Sequence, residues 1–168
     1  EDGIRDSDMW LEFRRVLFRS VQMNLTAPID LVWQKLTDWP SQGDWMLLTQ
    51  VQASKPSSEP QQIGNIITAF TGFNFGNPRK KFRIGLVDEM KITNWQIGDN
   101  QRFCEVDHFG KWLKGFGRFE LNQITSNTTQ MIWYERIDSP FLFSLLTKPF
   151  TQIAVVVSLR RFRRKISN

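Results

Sequence analysis

Hydrophobic and polar residues alternate along much of the chain between residues 21 and 138, as in strands of a sheet with one buried face. Six strands are predicted on this basis, and short turns containing Gly, Asn, Asp or Ser separate most of them. The strands cover residues 21–26, 64–71, 82–95, 102–109, 113–125 and 129–138. Closely spaced strands joined by such turns predict an antiparallel sheet.

Two short helical elements are predicted after the first strand. Pro28 opens the first, which ends where Trp39 and Pro40 interrupt it. The second covers residues 41–48, with Trp45 partly buried. Residues 71–81 are rich in glycine, aromatic and basic residues, and the sequence allows either a lid over a cavity or a long hairpin turn.

From residue 141 the apolar spacing becomes helical and forms two adjoining stripes. The stripes consist of Leu146, Phe150, Ile153 and Val157, and of Val155, Leu159, Phe162 and Ile166. The apolar run is interrupted by Lys148, Pro149, Thr151 and Gln152, so a helix packed on the sheet is predicted rather than a membrane span. The pattern therefore predicts an α+β domain in which this helix covers one face of an antiparallel sheet.

The first twenty residues, EDGIRDSDMWLEFRRVLFRS, show neither a clear strand pattern nor a helix cap. They resemble translated sequencing-adapter DNA fused to an open reading frame. We therefore expect residues 1–20 to be a non-native extension and residues 21–168 to form a single domain. The alternative is an amphipathic N-terminal helix. If the extension is non-native, the natural N-terminus is missing and a targeting signal could be lost with it; without such a signal the expected location is the cytoplasm.

The excess of basic residues is concentrated at the C-terminus. Of the 18 basic residues after position 20, five form one cluster: Arg160, Arg161, Arg163, Arg164 and Lys165. The rest of the domain is close to neutral, which argues against a nucleic-acid partner. The cluster is explained either by the dipole of the preceding helix or by a weak contact with an anionic membrane.

The charges also predict which residues face the helix. Burying Lys114, Arg118 and Glu120 together would be costly, so the alternate residues of that strand are placed inward. The predicted inward residues are Leu113, Gly115, Gly117, Phe119 and Leu121, with Cys104, Val106 and His108 on the strand before and Met131, Trp133, Glu135 and Ile137 on the strand after. The two glycines are interpreted as positions of sheet curvature and of room for a ligand.

His108 and Glu135 are the inward residues with potential for acid–base chemistry. A loop over residues 109–112 predicts that His108 pairs with Leu113 and that Glu135 lies abreast of Cys104. The two side chains would then be about 13 Å apart, at roughly 3.3 Å per residue, which is too far for a hydrogen-bonded pair.

Other chemistry has little support in the sequence. Cys104 would lie equally far from the histidine and is interpreted as a buried, unreactive thiol. One cysteine and one histidine do not supply a zinc site, so neither a metal nor another cofactor is expected.

Several short motifs follow one another along the chain: APIDLVW at 27–33, LTDW at 36–39, Trp45, Gly64, TAFTG at 68–72, Asp88, Met90, ITNW at 92–95, VDH at 106–108, GFGRF at 115–119, WYE at 133–135 and SLRRF at 158–162. In this order they resemble the SRPBCC superfamily and in particular its polyketide cyclase/dehydrase-like members. The resemblance implies the helix-grip fold of START and birch-pollen-allergen domains: a curved seven-stranded antiparallel sheet around a long C-terminal helix, two short helices after the first strand, and an elongated apolar cavity.

We expect this cavity to bind a small hydrophobic or amphipathic ligand, such as a lipid or a polyketide-like or aromatic molecule. The residues expected to contact it are Glu135, Trp133, His108, Gly115, Gly117, Phe119, Trp45, Phe70, Trp95 and Phe150. One alternative is a cyclase- or dehydratase-type enzyme in which Glu135 or His108 moves a proton. A second is a lipid shuttle that docks on anionic membranes through the C-terminal basic cluster.

Overall fold

A computed structural model describes residues 14–77, 80–140 and 154–166 and shows seven antiparallel strands in one sheet. The elements are β1 (Arg14–Leu25), α1 (Ile29–Thr37), a 3-10 helix (Trp39–Asp44), β2 (Thr49–Ala53), β3 (Ile66–Asn77), β4 (Lys80–Ile97), β5 (Gln101–His108), β6 (Lys114–Thr125), β7 (Thr128–Pro140) and helix α2 (residues 154–166). The strand order is β1-β7-β6-β5-β4-β3-β2. The predicted α+β architecture is confirmed.

Strands β1 and β2 depart from the prediction in different ways. The short edge strand β2 was missed because it is only five residues long and has glutamine at both outward positions, Gln50 and Gln52. Strand β1 begins at Arg14, seven residues before the predicted start, and pairs with β7 from Arg14↔Pro140 to Leu25↔Thr129. Residues 14–20 are therefore part of the sheet, whereas the non-native origin of residues 1–20 stays a prediction.

The segment at residues 71–81 is a hairpin. Thr71–Asn77 belongs to β3 and residues 80 and 81 belong to β4, with the backbones paired through Phe75↔Phe82 and Asn77↔Lys80. Of the two interpretations of this segment, the hairpin turn fits the structure. Residues 78 and 79 lie outside the described residues.

Helix α1 fills one half of the inner face of the sheet. Its buried residues include Val32, Trp33 and Leu36, because apolar side chains three and four positions apart share one side of a helix. The Trp33 ring lies 4.7 Å from that of Trp95 on β4 and 5.7 Å from that of Phe119 on β6. This half of the inner face is therefore a packed core.

Helix α2 closes a second part of the core with the predicted stripe of Leu159, Phe162 and Ile166, all buried. The Phe162 ring lies 4.7 Å from Trp45, and the backbone N–H of Leu47 donates a hydrogen bond to the hydroxyl of Ser158. The other stripe is described only at Val157, because Leu146, Phe150 and Ile153 lie outside the described residues.

Candidate functional site

The predicted facing of the strands is confirmed by burial. On β6, Gly117, Phe119 and Leu121 are buried, whereas Lys114 is exposed. On β5, Cys104 and His108 are buried and Asp107 is exposed. The inner face of the sheet therefore carries His108 and Glu135, as the charge distribution predicted.

The predicted register between β5 and β6 is wrong by two residues. His108 pairs with Gly115 rather than Leu113, because the chain continues alongside β4 after His108. The backbone N–H of Phe109 donates to the carbonyl of Glu89 on that strand, so the turn comes later and is longer.

The corrected register brings Glu135 closer to His108. Glu135 pairs with Gly117, which lies two residues from Gly115, the partner of His108. The offset along the strands is therefore about 7 Å instead of the predicted 13 Å.

Asp88 on β4 is a site residue that was noted only as part of the family resemblance and was not predicted to belong to the site. Met90, two residues further along β4, pairs with His108, so Asp88 faces the same side of the sheet. His108 Nδ1 donates to both carboxylate oxygens of Asp88, at 2.9 and 3.0 Å. In the predicted strand, Asp88 alternates with Met90 and Ile92, which places it on the inner face. This alternation alone does not show that Asp88 contacts His108, because the contact also depends on how β4 pairs with β5.

The other ring nitrogen of His108 is buried and has no hydrogen-bond partner among the described residues. The side chain of His108 is only 3% exposed. Because Nδ1 is held by Asp88, Nε2 is the nitrogen left to donate or accept a proton. Nε2 is therefore an atom of this face that could form a hydrogen bond with a ligand or a water molecule.

Gly117 and Gly115, both on the inner face, lack a side chain for different structural reasons. A Cβ at Gly117 would lie 3.1 Å from His108 Nε2, so the imidazole occupies the space that the missing side chain leaves. The space directly over Gly117 is thus shared by His108 and Val106, and its role as a ligand contact stays a prediction. Gly115 has φ +145°, and a Cβ there would come within 2.0 Å of the Arg136 carbonyl oxygen, so its backbone conformation excludes a side chain.

Opposing effects set the pKa of His108. Burial by itself lowers the pKa, but the hydrogen bond and charge of Asp88, together with the charges of Glu135 and Asp107, outweigh it. The pKa of His108 therefore lies above its ordinary value, and the protonated ring is favoured.

The half of the inner face around this pair is less tightly covered than the half under α1. Val106, Trp133, Glu135 and Ile137 are half-buried there. In the half under α1, Ile92, Cys104, Leu121 and Met131 have no exposed surface. At the end of the inner face that carries His108, half-buried apolar side chains thus lie beside the half-buried Glu135 and the buried imidazole.

The predicted ligand contacts fall into several groups. His108, Glu135, Trp133, Gly115 and Gly117 lie together at one end of the inner face. Trp45, Trp95 and Phe119 face inward but pack in the core. Phe150 lies outside the described residues.

The structure corrects the predicted position of Phe70. This residue pairs with Val87, whereas its neighbour Ala69 pairs with Asp88, so Phe70 is on the face opposite to Asp88. There its ring lies 3.9 Å from the guanidinium of Arg83. The prediction counted the aromatic residue as inward without the strand register that decides its side.

The described residues show a buried, protonated thiol and no grouped set of metal ligands. Cys104 is fully buried, and burial, with a smaller effect of the Glu105 charge, raises the pKa of the thiol far above its ordinary value. Among residues 14–77, 80–140 and 154–166, no three His, Cys, Asp or Glu side chains are grouped as metal ligands.

The outer face of the sheet carries a shallow groove of about 320 Å³ lined by Phe116, Arg118, Glu120, Ile132 and Tyr134. Arg118 forms ion pairs with Glu105 at 3.1 Å and Glu120 at 2.6 Å. Burial by itself raises the pKa of Glu120. Hydrogen bonds from Asn122 and Gln101 and the charge of Arg118 have a larger, opposite effect, so the pKa of Glu120 lies below its ordinary value. Arg118, Glu105 and Glu120 thus form ion pairs with one another on the face opposite to His108.

The C-terminal basic cluster is exposed at all five positions. Lys165 forms an ion pair with Asp44 at 2.6 Å, which joins the end of α2 to the 3-10 helix. No helix in the described ranges is long and apolar enough to cross a bilayer.

Comparisons with known proteins identify the fold. The chain matches no protein-family model and no curated protein sequence. Among solved structures it is similar to the ZhuI aromatase/cyclase from Streptomyces sp. R1128, with a TM-score of 0.66 and 12% identity over 91% of this chain and 94% of that one. A hypothetical protein from Helicobacter pylori gives a TM-score of 0.65 and 10% identity over 99% and 97% of the two chains.

Norcoclaurine synthase from Thalictrum flavum, solved in complex with dopamine and hydroxybenzaldehyde, gives a TM-score of 0.58 and 9% identity over 99% of this chain and 92% of that one. These structures have the helix-grip fold, and so does this chain. The resemblance found in the sequence is thus confirmed for the fold, which is what identities of this size can show.

Proposed function

We propose that the domain binds a small apolar or amphipathic molecule on the inner face of the sheet, at the end that carries His108. The observation behind this proposal is the buried Nε2 of His108, which has no partner among the described residues and lies beside half-buried apolar side chains. The polar end of the ligand would accept a hydrogen bond from Nε2, and its apolar part would contact Trp133 and Val106.

The energetics favour such a ligand. A buried polar group without a partner costs about 1–3 kcal/mol, and an acceptor on the ligand would recover this cost. Each square ångström of apolar surface that the ligand and the protein bury adds roughly 25 cal/mol. The helix-grip neighbours include an aromatase/cyclase and a synthase solved with two small aromatic molecules, which supports a ligand of similar chemical character.

The proposal is tested by native mass spectrometry of the purified protein, followed by thermal-shift measurements with fatty acids and aromatic polyketides. We expect at least one class to raise the melting temperature. His108→Phe removes the donor but keeps a ring, and we expect it to weaken binding about tenfold or more, as for a lost hydrogen bond to a charged group. Phe116→Ala in the outer groove is the control and should bind like the wild type. Absence of any retained or stabilising ligand would contradict the proposal.

A second candidate is an enzyme that moves a proton on the bound molecule, as in an aldol-type cyclisation or a dehydration. It is favoured by the contact between Asp88 and His108, because a carboxylate on Nδ1 holds the imidazole so that Nε2 can exchange a proton with a ligand. Glu135 lies on the same face of the sheet, where its carboxylate could serve as a second proton acceptor.

The variant His108→Gln distinguishes the two candidate functions. Its side-chain amide still donates a hydrogen bond but cannot exchange a proton at neutral pH. A carrier would keep most of its affinity and show no turnover in either form. An enzyme would bind its substrate and lose turnover, and Glu135→Gln would show whether the second carboxylate also takes part.

A further inference from the structure

Exposed apolar side chains gather at the end of the sheet that carries His108. Phe109 and Trp112, between β5 and β6, are 47% and 49% exposed, and Phe73 and its cross-strand partner Ile84 on the β3–β4 hairpin are 52% and 55% exposed. Single exposed apolar residues are common on proteins, but several at one end of a domain mark a contact surface.

The loop between β5 and β6 combines these aromatic side chains with positive charge. Its sequence, FGKWLK over residues 109–114, contains two exposed lysines, Lys111 and Lys114, and no acidic residue. The ammonium of Lys111 lies 5.3 Å from the centre of the Trp112 ring.

The loop is also anchored to the sheet. Leu113 is buried, and the N–H of Phe109 donates to the Glu89 carbonyl oxygen. Phe109 and Trp112 are therefore presented outward from a fixed base.

We propose that this loop, residues 109–114, contacts the surface of an anionic lipid bilayer. Trp and Phe side chains favour the interface between headgroups and acyl chains, and lysines beside them are attracted to anionic headgroups. The proposal depends on the exposed surface of the loop and does not require a ligand on the inner face.

The acidic residues around the loop define the direction of approach. Glu89 and Asp107 are exposed, and both are on the outer face of the sheet, because their neighbours Asp88 and His108 face inward. Asp138, the half-buried cross-strand partner of Lys114, is on the outer face as well. The positive and aromatic surface is thus at the end of the sheet, and a bilayer with negative charge would meet the domain end-on rather than along its outer face.

The C-terminal basic cluster is the competing surface. Arg160, Arg161 and Arg164 supply charge, but their apolar neighbours on α2, Leu159 and Phe162, are buried in the core. Binding through this cluster alone would be electrostatic and would disappear at high salt, whereas aromatic insertion retains part of the affinity.

The experiment is co-sedimentation of the full chain with vesicles of phosphatidylcholine, with and without phosphatidylserine, at two salt concentrations. We expect binding to the anionic vesicles, a loss on the order of tenfold or more in Phe109→Ser/Trp112→Ser, and a loss of about thirtyfold in Lys111→Gln/Lys114→Gln at low salt. Trp112→Phe should keep binding, since an aromatic ring remains. The matched control, Ile97→Ser/Ile124→Ser, changes two equally exposed residues elsewhere on the sheet and should bind like the wild type.

Two outcomes would overturn the proposal. The first is no sedimentation of the wild-type chain with anionic vesicles. The second is wild-type binding by Phe109→Ser/Trp112→Ser together with loss in Arg160→Gln/Arg161→Gln/Arg164→Gln, which would assign the contact to the C-terminal cluster. His108→Phe should sediment like the wild type, so failure of the proposed ligand function and failure of the membrane contact are distinguishable. Circular dichroism of each variant checks that it is folded.

Discussion

The imidazole of His108 lies over Gly117, with Nε2 3.1 Å from the point where a side chain at position 117 would begin. The Cγ2 atom of Val106 is 3.0 Å from the same point. The absence of a side chain at residue 117 therefore lets the ring pack closely against this strand. This contact and the hydrogen bond to Asp88 together fix the direction of Nε2.

We predict that Gly117→Ala lowers the free energy of unfolding by about 1–3 kcal/mol, because the added methyl group overpacks a filled position. Urea unfolding measures this change. In a His108→Ala background the same substitution should cost less, since one of the two contacts is gone. An equal cost in both backgrounds would show that the ring does not occupy this space.

We predict that Asp88→Asn lowers the pKa of His108 below its ordinary value, because the burial that opposes protonation remains while the main opposing charge is removed. The chain contains one histidine, so its imidazole resonances in NMR spectra report this pKa without ambiguity. Glu105→Gln, on the outer face, is a matched loss of one carboxylate and should leave the pKa nearly unchanged. An unaltered pKa in Asp88→Asn would contradict the contact between the two side chains.

The raised pKa of His108 also predicts a pH dependence of stability. A group whose pKa is higher in the folded state stabilises the fold while it is protonated. This contribution is fully present below the ordinary value of 6.5 and is lost as the pH rises through the higher pKa of the folded state. The free energy of unfolding, measured against pH, should fall over this interval in the wild type and not in His108→Gln.

We predict that Phe162→Ala costs about 3–5 kcal/mol of unfolding free energy. Phe162 is fully buried against Trp45 and joins α2 to the rest of the core. The neighbouring Arg161→Ala changes an exposed residue and should alter stability by about 0.5 kcal/mol or less. Similar small effects of both substitutions in denaturant titrations would mean that α2 does not pack here.

We predict that Cys104 reacts with thiol reagents only when the protein unfolds. Burial keeps the thiol protonated by raising its pKa, and the thiolate is the reactive form. The rate of labelling by iodoacetamide, which can be assigned to the single cysteine, should rise with urea in parallel with unfolding. Rapid labelling under native conditions would contradict this burial.

The sequence was sufficient for the facing of the strands and for the kind of fold. Facing was predictable because Lys114, Arg118 and Glu120 alternate with apolar residues, so only one orientation avoids burying three charges. The strand β2 was not predictable, because five residues without a charged side chain carry too weak a pattern.

The candidate site was only partly predictable. The length of the loop after His108 depends on a hydrogen bond from Phe109 to Glu89, which no local pattern records, and that length sets the register. The distance from His108 to Glu135 and the contact with Asp88 both depend on pairing between strands that are distant in sequence. Phe70 illustrates the same limit, since a shift of one residue decides the face on which a side chain lies.

The most direct test of ligand binding at His108 is the NMR signal of its imidazole nitrogens during titration with a molecule that raises the melting temperature. If the ligand's polar end binds here, the Nε2 resonance shifts at saturation and its pKa changes, while the Nδ1 resonance keeps the signature of the hydrogen bond to Asp88. A ligand that stabilises the protein and leaves the Nε2 resonance unmoved would contradict the account.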